Sequence, residues 1–151
     1  MRIALGSDHA GYRLKEEIAE LLGSEGREFE DFGVFSEEPV DYPDIAREVA
    51  EMVASGRFDR AILVCGTGVG MSIVANKVRG VRAALCSDEY TARVSREHND
   101  ANVLALGGRT TGPELAKQIV RVWLNTDFDP QPRHVRRVQK IEQAADSERL
   151  G

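Results

Sequence analysis

The apolar and polar positions of the chain alternate between short runs of buried-type residues and longer stretches with helical spacing. The opening RIALGS (2–7) reads as a strand, and GYRLKEEIAELL (11–22) sets Leu14, Ile18, Leu21 and Leu22 on one stripe of a helix. A weaker strand follows in REFEDFG (27–33), then a helix in DIAREVAEMVASG (44–56) closed by Gly56, then a strongly apolar strand in RAILVCG (60–66). The order continues with helix MSIVANKV (71–78), strand RAALC (82–86), helix DEYTARVSREH (88–98), strand NVLALGG (102–108) and helix PELAKQIVRVWL (113–124), opened by Pro113. The pattern predicts about five strands and five or six helices. Strands this apolar do not face water, so strict alternation with helices predicts an α/β chain: a mostly parallel sheet covered on both faces.

The pattern breaks after Trp123. NTDFDPQP carries a polar, proline-bearing linker over about 126–132, a basic amphipathic helix is expected over 133–145, and residues 146–151 are expected to fray. A chain of 151 residues with 42% hydrophobic content fits one domain, 1–151, with a sizeable core. Its net charge of −5, with the cations scattered, argues against nucleic acid as a partner. No window approaches the roughly 18 apolar residues of a membrane span, and the N-terminus turns polar too early for a signal peptide, so a cytoplasmic location is expected. Cys65 and Cys86 form no disulfide framework. There is no C-x-x-C, and His9, His98 and His134 lie far apart, so neither a metal nor another cofactor is implied.

In an open parallel sheet, ligands bind beyond the carboxyl ends of the strands. The residues expected there are Asp8 and His9, then Cys65 to Gly70, then Ser87 and Asp88, then Gly107, Gly108 and Arg109. An acid, a histidine, a thiol, bare backbone and an arginine thus converge on one edge. In CGTGVG, Gly66, Gly68 and Gly70 leave backbone N–H groups accessible just before a helix, a setting that attracts anions and favours a thiolate on Cys65. Against this stands a plain alternative, a core cysteine followed by a tight turn, and the local pattern alone leaves the two evenly matched. Cys86 is followed by a serine and two acids and reads as structural. Arg133 and Arg137 lie one helical turn apart and can present two guanidinium forks to one phosphate. His98 ends a helix that starts at the ligand edge, so about ten residues carry it roughly 15 Å away. A catalytic His98, with Asn99 beside it, is therefore expected to act in the site of a neighbouring subunit.

Five motifs, GSDHAG, DYPD, CGTGVGMSIVANK, EHNDANVLALGGR and RHVRRV, together resemble the ribose-5-phosphate isomerase type B family of sugar-phosphate isomerases (RpiB/LacA/LacB). The likeness runs in order from about residue 2 to residue 142. It implies a Rossmann-like three-layer αβα sandwich with a five-stranded parallel sheet and a C-terminal helix. It also implies a homodimer, with a tetramer as alternative, whose active sites lie between subunits. The implied activity is metal-free interconversion of D-ribose 5-phosphate and D-ribulose 5-phosphate through an enediolate, a step of the pentose phosphate pathway.

By the same matching Cys65 is the base. Another branch of the family uses a glutamate at the position of Met71, which cannot serve. Thr67 adds a hydroxyl donor, His98 assists ring opening, Asp8 holds sugar hydroxyls and Asn99 steadies the substrate. His9, Arg109, Arg133 and Arg137 match phosphate-binding positions, Gly66, Gly68, Val69, Gly70 and Ser72 the loop facing the enediolate oxygens, and Tyr42 a lining position. Allose, galactose and tetrulose phosphates are alternative substrates within the resemblance. A non-catalytic sugar-phosphate or nucleotide-binding module is the alternative outside it.

Overall fold

Period-two alternation inside three strands decides which helices cover which face of the sheet. The computed structural model describes residues 1–147, and β1 (Ile3–Ser7), β3 (Arg60–Cys65) and β5 (Val103–Gly107) are buried throughout. Ile3, Leu5, Ile62, Val64, Leu104 and Leu106 point to one side. There they meet Leu14, Ile18, Leu21 and Leu22 of α1 (Tyr12–Ser24), and Ile119, Val120 and Trp123 of α5 (Pro113–Asn125). On the other side Ala4, Ala61, Leu63, Cys65, Val103 and Ala105 pack against Ala46, Val49, Ala50 and Val53 of α2 (Tyr42–Ala54), and Met71 and Ala75 of α3 (Val69–Ala75). Each strand is therefore wetted on neither face, which is why these stretches read as unbroken apolar runs.

With β2 (Phe29–Asp31) and β4 (Ala83–Leu85) the sheet has five strands in the order β2-β1-β3-β5-β4, every pairing parallel. The three-layer α/β architecture expected from the alternation is thus the observed one. The two short strands occupy the edges and carry the weakest apolar patterns. α4 (Glu89–Glu97) joins β4 to β5, and Asp88 caps it by accepting the Thr91 N–H at 2.6 Å. α6 (Pro132–Ser147) follows the linker. Asp146 and Ser147 continue that helix, and residues 148–151 of the stretch expected to fray lie outside the described residues. No helix among the described residues is long and apolar enough to cross a membrane.

β1 feeds towards one edge of the sheet through α1, and β3 towards the other through α3. The crevice opened by that divergence lies beyond the carboxyl ends of β1 and β3, where a doubly wound sheet binds ligands. Gly11, at the start of α1, lets the two loops meet there. A Cβ on it would lie 2.3 Å from the Val64 carbonyl oxygen, so only glycine fits.

One buried charge was not foreseen from the pattern. Lys15 of α1 is fully buried, with its ammonium on the Asp31 carboxylate, 2.8 Å from Glu16 Oε1, and about 5 Å from the ring centroids of Tyr12 and Phe35. Asp31 in turn accepts the Gly33 N–H at 2.8 Å, and Arg13 pairs with Glu37. These contacts pin the loop 32–41 across the start of α1.

Candidate active site

Beyond the ends of β1, β3 and β5 lies a cleft of about 400 Å³, within the range that encloses a small metabolite. It is lined by Asp8, His9, Tyr42, Cys65, Gly66, Thr67, Val69, Gly70 and Arg109, all singled out from the sequence, and by Ala10 and Ile73, which were not. Ile73 had a legible signal: it stands four residues after Val69 on α3, and both are exposed.

Cys65 is the last residue of β3 and points towards α3, so its sulfur reaches the cleft floor while 5% of the residue is accessible. The Gly68 N–H donates to Cys65 Sγ at 3.1 Å. This bond needs the left-handed backbone of Gly68 (φ +78°), and a Cβ there would come 2.5 Å from Leu85. α3 has only seven residues, so one aimed amide, more than a long helix dipole, complements negative charge on the sulfur. Gly68 itself does not line the cleft, because its N–H is turned to the thiol. Ser72 is also outside the lining, its hydroxyl donating back to the Val69 carbonyl at 2.9 Å.

Asp8, buried, accepts the Gly11 N–H at 2.9 Å and so stands fixed at the turn from β1 to α1. His9 Nδ1 accepts the Val40 N–H at 3.2 Å. That bond leaves the proton of a neutral ring on Nε2, free to donate to an anion. Val40 belongs to the loop pinned by Lys15, and this link from a buried lysine to a histidine tautomer crosses elements no local pattern connects. The Arg109 guanidinium lies over Gly66, at 3.5 Å from where a Cβ would be, and the Tyr42 ring packs on Gly70 in the same way at 2.5 Å. A cation, an imidazole donor, a carboxylate and a thiol thus share one small cavity, a set suited to binding a phosphorylated polyol and moving a proton on it.

The remaining expected residues sit elsewhere. His98 caps α4 at the end remote from Asp88, and His98, Asn99, Arg133 and Arg137 are all exposed outside the cleft. A larger cavity of about 760 Å³ lies beside α6 and β4, with Asn99, Arg79, Arg82 and Ile141 in its wall. It offers no thiol or histidine, and its Glu142 is paired with Arg82 at 2.6 Å. Among the described residues, no group of three or more His, Cys, Asp or Glu is placed to hold a metal ion.

The second thiol has a different character. Cys86 is 1% exposed in the core beneath α4, and burial pushes its pKa up to about 11. Iodoacetamide near neutral pH is therefore expected to alkylate Cys65 and leave Cys86 intact, as peptide mass mapping would record. Labelling of Cys86 before Cys65 would contradict this account of the two environments.

Residues 3–141 match the family described as Ribose/Galactose Isomerase. The chain is 51% identical over 140 residues to ribose-5-phosphate isomerase B of Escherichia coli, covering 93% of each chain. It is 46% identical over 131 residues to D-erythrulose-4-phosphate isomerase of Pectobacterium atrosepticum, covering 85% of this chain and 86% of that one. A solved structure of ribose-5-phosphate isomerase B from Clostridium thermocellum superposes with a TM-score of 0.96 at 54% identity, covering 98% of this chain and 99% of that one. With a family match across nearly its whole length and relatives this similar, the chain belongs to the ribose/galactose isomerase family of sugar-phosphate isomerases.

Proposed function

We propose that this protein interconverts D-ribose 5-phosphate and D-ribulose 5-phosphate, with Cys65 as the base. The observation that carries the reading is a thiol at the floor of a small cleft, with an amide donor on its sulfur and phosphate-binding chemistry at the rim. In the open-chain aldose, the Cys65 thiolate takes the proton from C2 while the carbonyl electrons move onto O1, giving an enediolate. A proton passes from O2 to O1, the thiol returns its proton to C1, and the electron pair closes a carbonyl at C2. No atom is gained or lost, and no redox partner is needed.

Charge develops on the two oxygens during this exchange, and the backbone of Gly66 and Gly70 with the Thr67 hydroxyl supplies donors at the same end of the cleft, the Gly68 N–H being held on the thiol. His9 and Arg109 hold the phosphate, which carries about two negative charges near neutral pH. Asp8 accepts from sugar hydroxyls. His98, Asn99, Arg133 and Arg137 enter the reading from a second copy of the chain, His98 moving the proton that opens the sugar ring. Their exposure and their separation from the cleft of their own chain support that assignment. Such a homodimer would work in the cytoplasm as part of pentose phosphate metabolism.

The shared site has a direct test. Mixing inactive Cys65→Ala and His98→Ala homodimers should restore about a quarter of wild-type activity, since half the dimers become hybrid and each hybrid keeps one intact site. No recovery after verified subunit exchange would remove His98 from the neighbouring cleft. Because one relative is named for a four-carbon substrate, the sugar is decided by competing four-, five- and six-carbon aldose phosphates and comparing kcat/KM. Preference for a four- or six-carbon sugar would replace ribose 5-phosphate in this proposal and leave the chemistry standing.

A further inference from the structure

His134 has no part in the chemistry above, yet it lies at the junction of two groups that do. It is 1% exposed in a helix whose Arg133 and Arg137 are turned outward. Its Nδ1 lies 3.0 Å from the Asp129 carbonyl oxygen and 3.5 Å from Asp129 Oδ2. A carbonyl only accepts, so Nδ1 carries a proton. Arg133 Nε donates to His134 Nε2 at 3.3 Å, which requires that nitrogen to be bare. Both neighbours therefore select the same neutral tautomer. A doubly protonated ring would set donor against donor and cation against cation at Arg133.

The face of the same ring packs on His98, with centroids 4.4 Å apart and planes 31° from parallel. The backbone reinforces the junction, since the Asp129 N–H donates to the Glu97 carbonyl at 3.0 Å, one residue before His98. We propose that His134 is a positioning residue: through its ring face and its Nε2 it holds the His98 imidazole and the Arg133 guanidinium in one fixed relation, so that a proton-transfer group and a phosphate-binding group enter the neighbouring cleft as a unit. This rests on the roles given above to His98 and Arg133. The physical gain is preorganisation: a long arginine side chain and a helix-end histidine are ordered before substrate arrives.

Two variants divide the two contacts. His134→Phe keeps a ring face for His98 and removes the acceptor for Arg133, so KM should rise about three- to tenfold with kcat within about twofold of wild type. His134→Gln keeps an acceptor and removes the face, so kcat should fall about tenfold with KM nearly unchanged. Equal losses of both parameters in both variants, or no change in either, would overturn the proposal. Nitrogen-15 NMR of the unaltered protein near neutral pH needs no substitution that could unfold it. An Nδ1–H tautomer at His134 is expected, and an Nε2–H or doubly protonated ring would overturn the proposal on its own. The wild-type assay separates the two layers of argument: no turnover of any sugar phosphate would defeat the functional reading, whereas normal turnover with the wrong tautomer defeats only the role of His134.

Discussion

Replacing Cys65 with alanine should lower turnover by about a thousandfold, the middle of the range for losing a positioned acid–base group, while sugar-phosphate affinity stays within about twofold of wild type. The separation follows from the cleft. In the proposed reading the phosphate is held by His9 and Arg109 at the cleft rim, whereas the sulfur lies at the floor with the Gly68 amide on it. Removing one sulfur atom takes away the proton acceptor and leaves the rim in place. Cys65→Ser should be nearly as inactive, because a hydroxyl of similar size is far harder to ionise. Kinetics for turnover and calorimetry for binding make the two measurements. Unchanged turnover in the alanine variant would eliminate Cys65 as the base, and lost affinity with intact turnover would reverse the division of labour. The rival reading, a module that binds sugar phosphate without transforming it, predicts no activity to lose.

The second large effect concerns stability. Gly11→Ala should destabilise the protein by about 3 kcal/mol, near the upper end for overpacking, and lower Tm by roughly 6–12 °C. The new methyl would meet Val64 at three atoms: the carbonyl oxygen at 2.3 Å, the carbonyl carbon at 2.5 Å and Cγ1 at 2.9 Å. Two of these are backbone of a central strand and cannot swing aside. Relief would require α1 to lift from the sheet, and the Gly11 N–H would leave the Asp8 carboxylate as it did so. Gly23→Ala supplies the internal control. Gly23 is exposed within the same helix with nothing within 4 Å of a Cβ, so alanine there should stabilise by up to about 1 kcal/mol through helix propensity alone. Thermal melts of both variants check the pair, and a Gly11→Ala protein that melts like wild type would refute the close approach.

How much of this was legible depends on how local each determinant is. β3 and β5 could be read from RAILVC and VLALG because a strand buried on both faces needs an unbroken apolar run. The convergence of Asp8, Cys65 and Arg109 then followed from the rule that parallel strands end on one edge. Helix starts were less legible. α2 begins at Tyr42, not at Asp44, because Pro43 fits the first turn and Asp41 takes the capping position. α3 runs from Val69 to Ala75, where 71–78 was expected. Its end is fixed by Asn76, whose side chain exchanges two hydrogen bonds with the Ala83 backbone at the start of β4. Contacts of that kind have no period. The Lys15–Asp31 pair, the Val40 amide on His9 and the stacking of His98 on His134 all join residues at least sixteen positions apart, and only the fold brings them together.

The lining of the cleft divides between two kinds of support. Cys65 and Asp8 are held by the sheet and its first turns, whereas Tyr42, Val69 and Ile73 stand at the mouth, 39%, 46% and 55% exposed. A change at the mouth therefore disturbs no interior packing, while a change at the floor meets the buried ends of β1 and β3. If the proposed chemistry holds, exchanging those three outward side chains should retune which sugar is accepted while the thiol and its amide donor stay as they are.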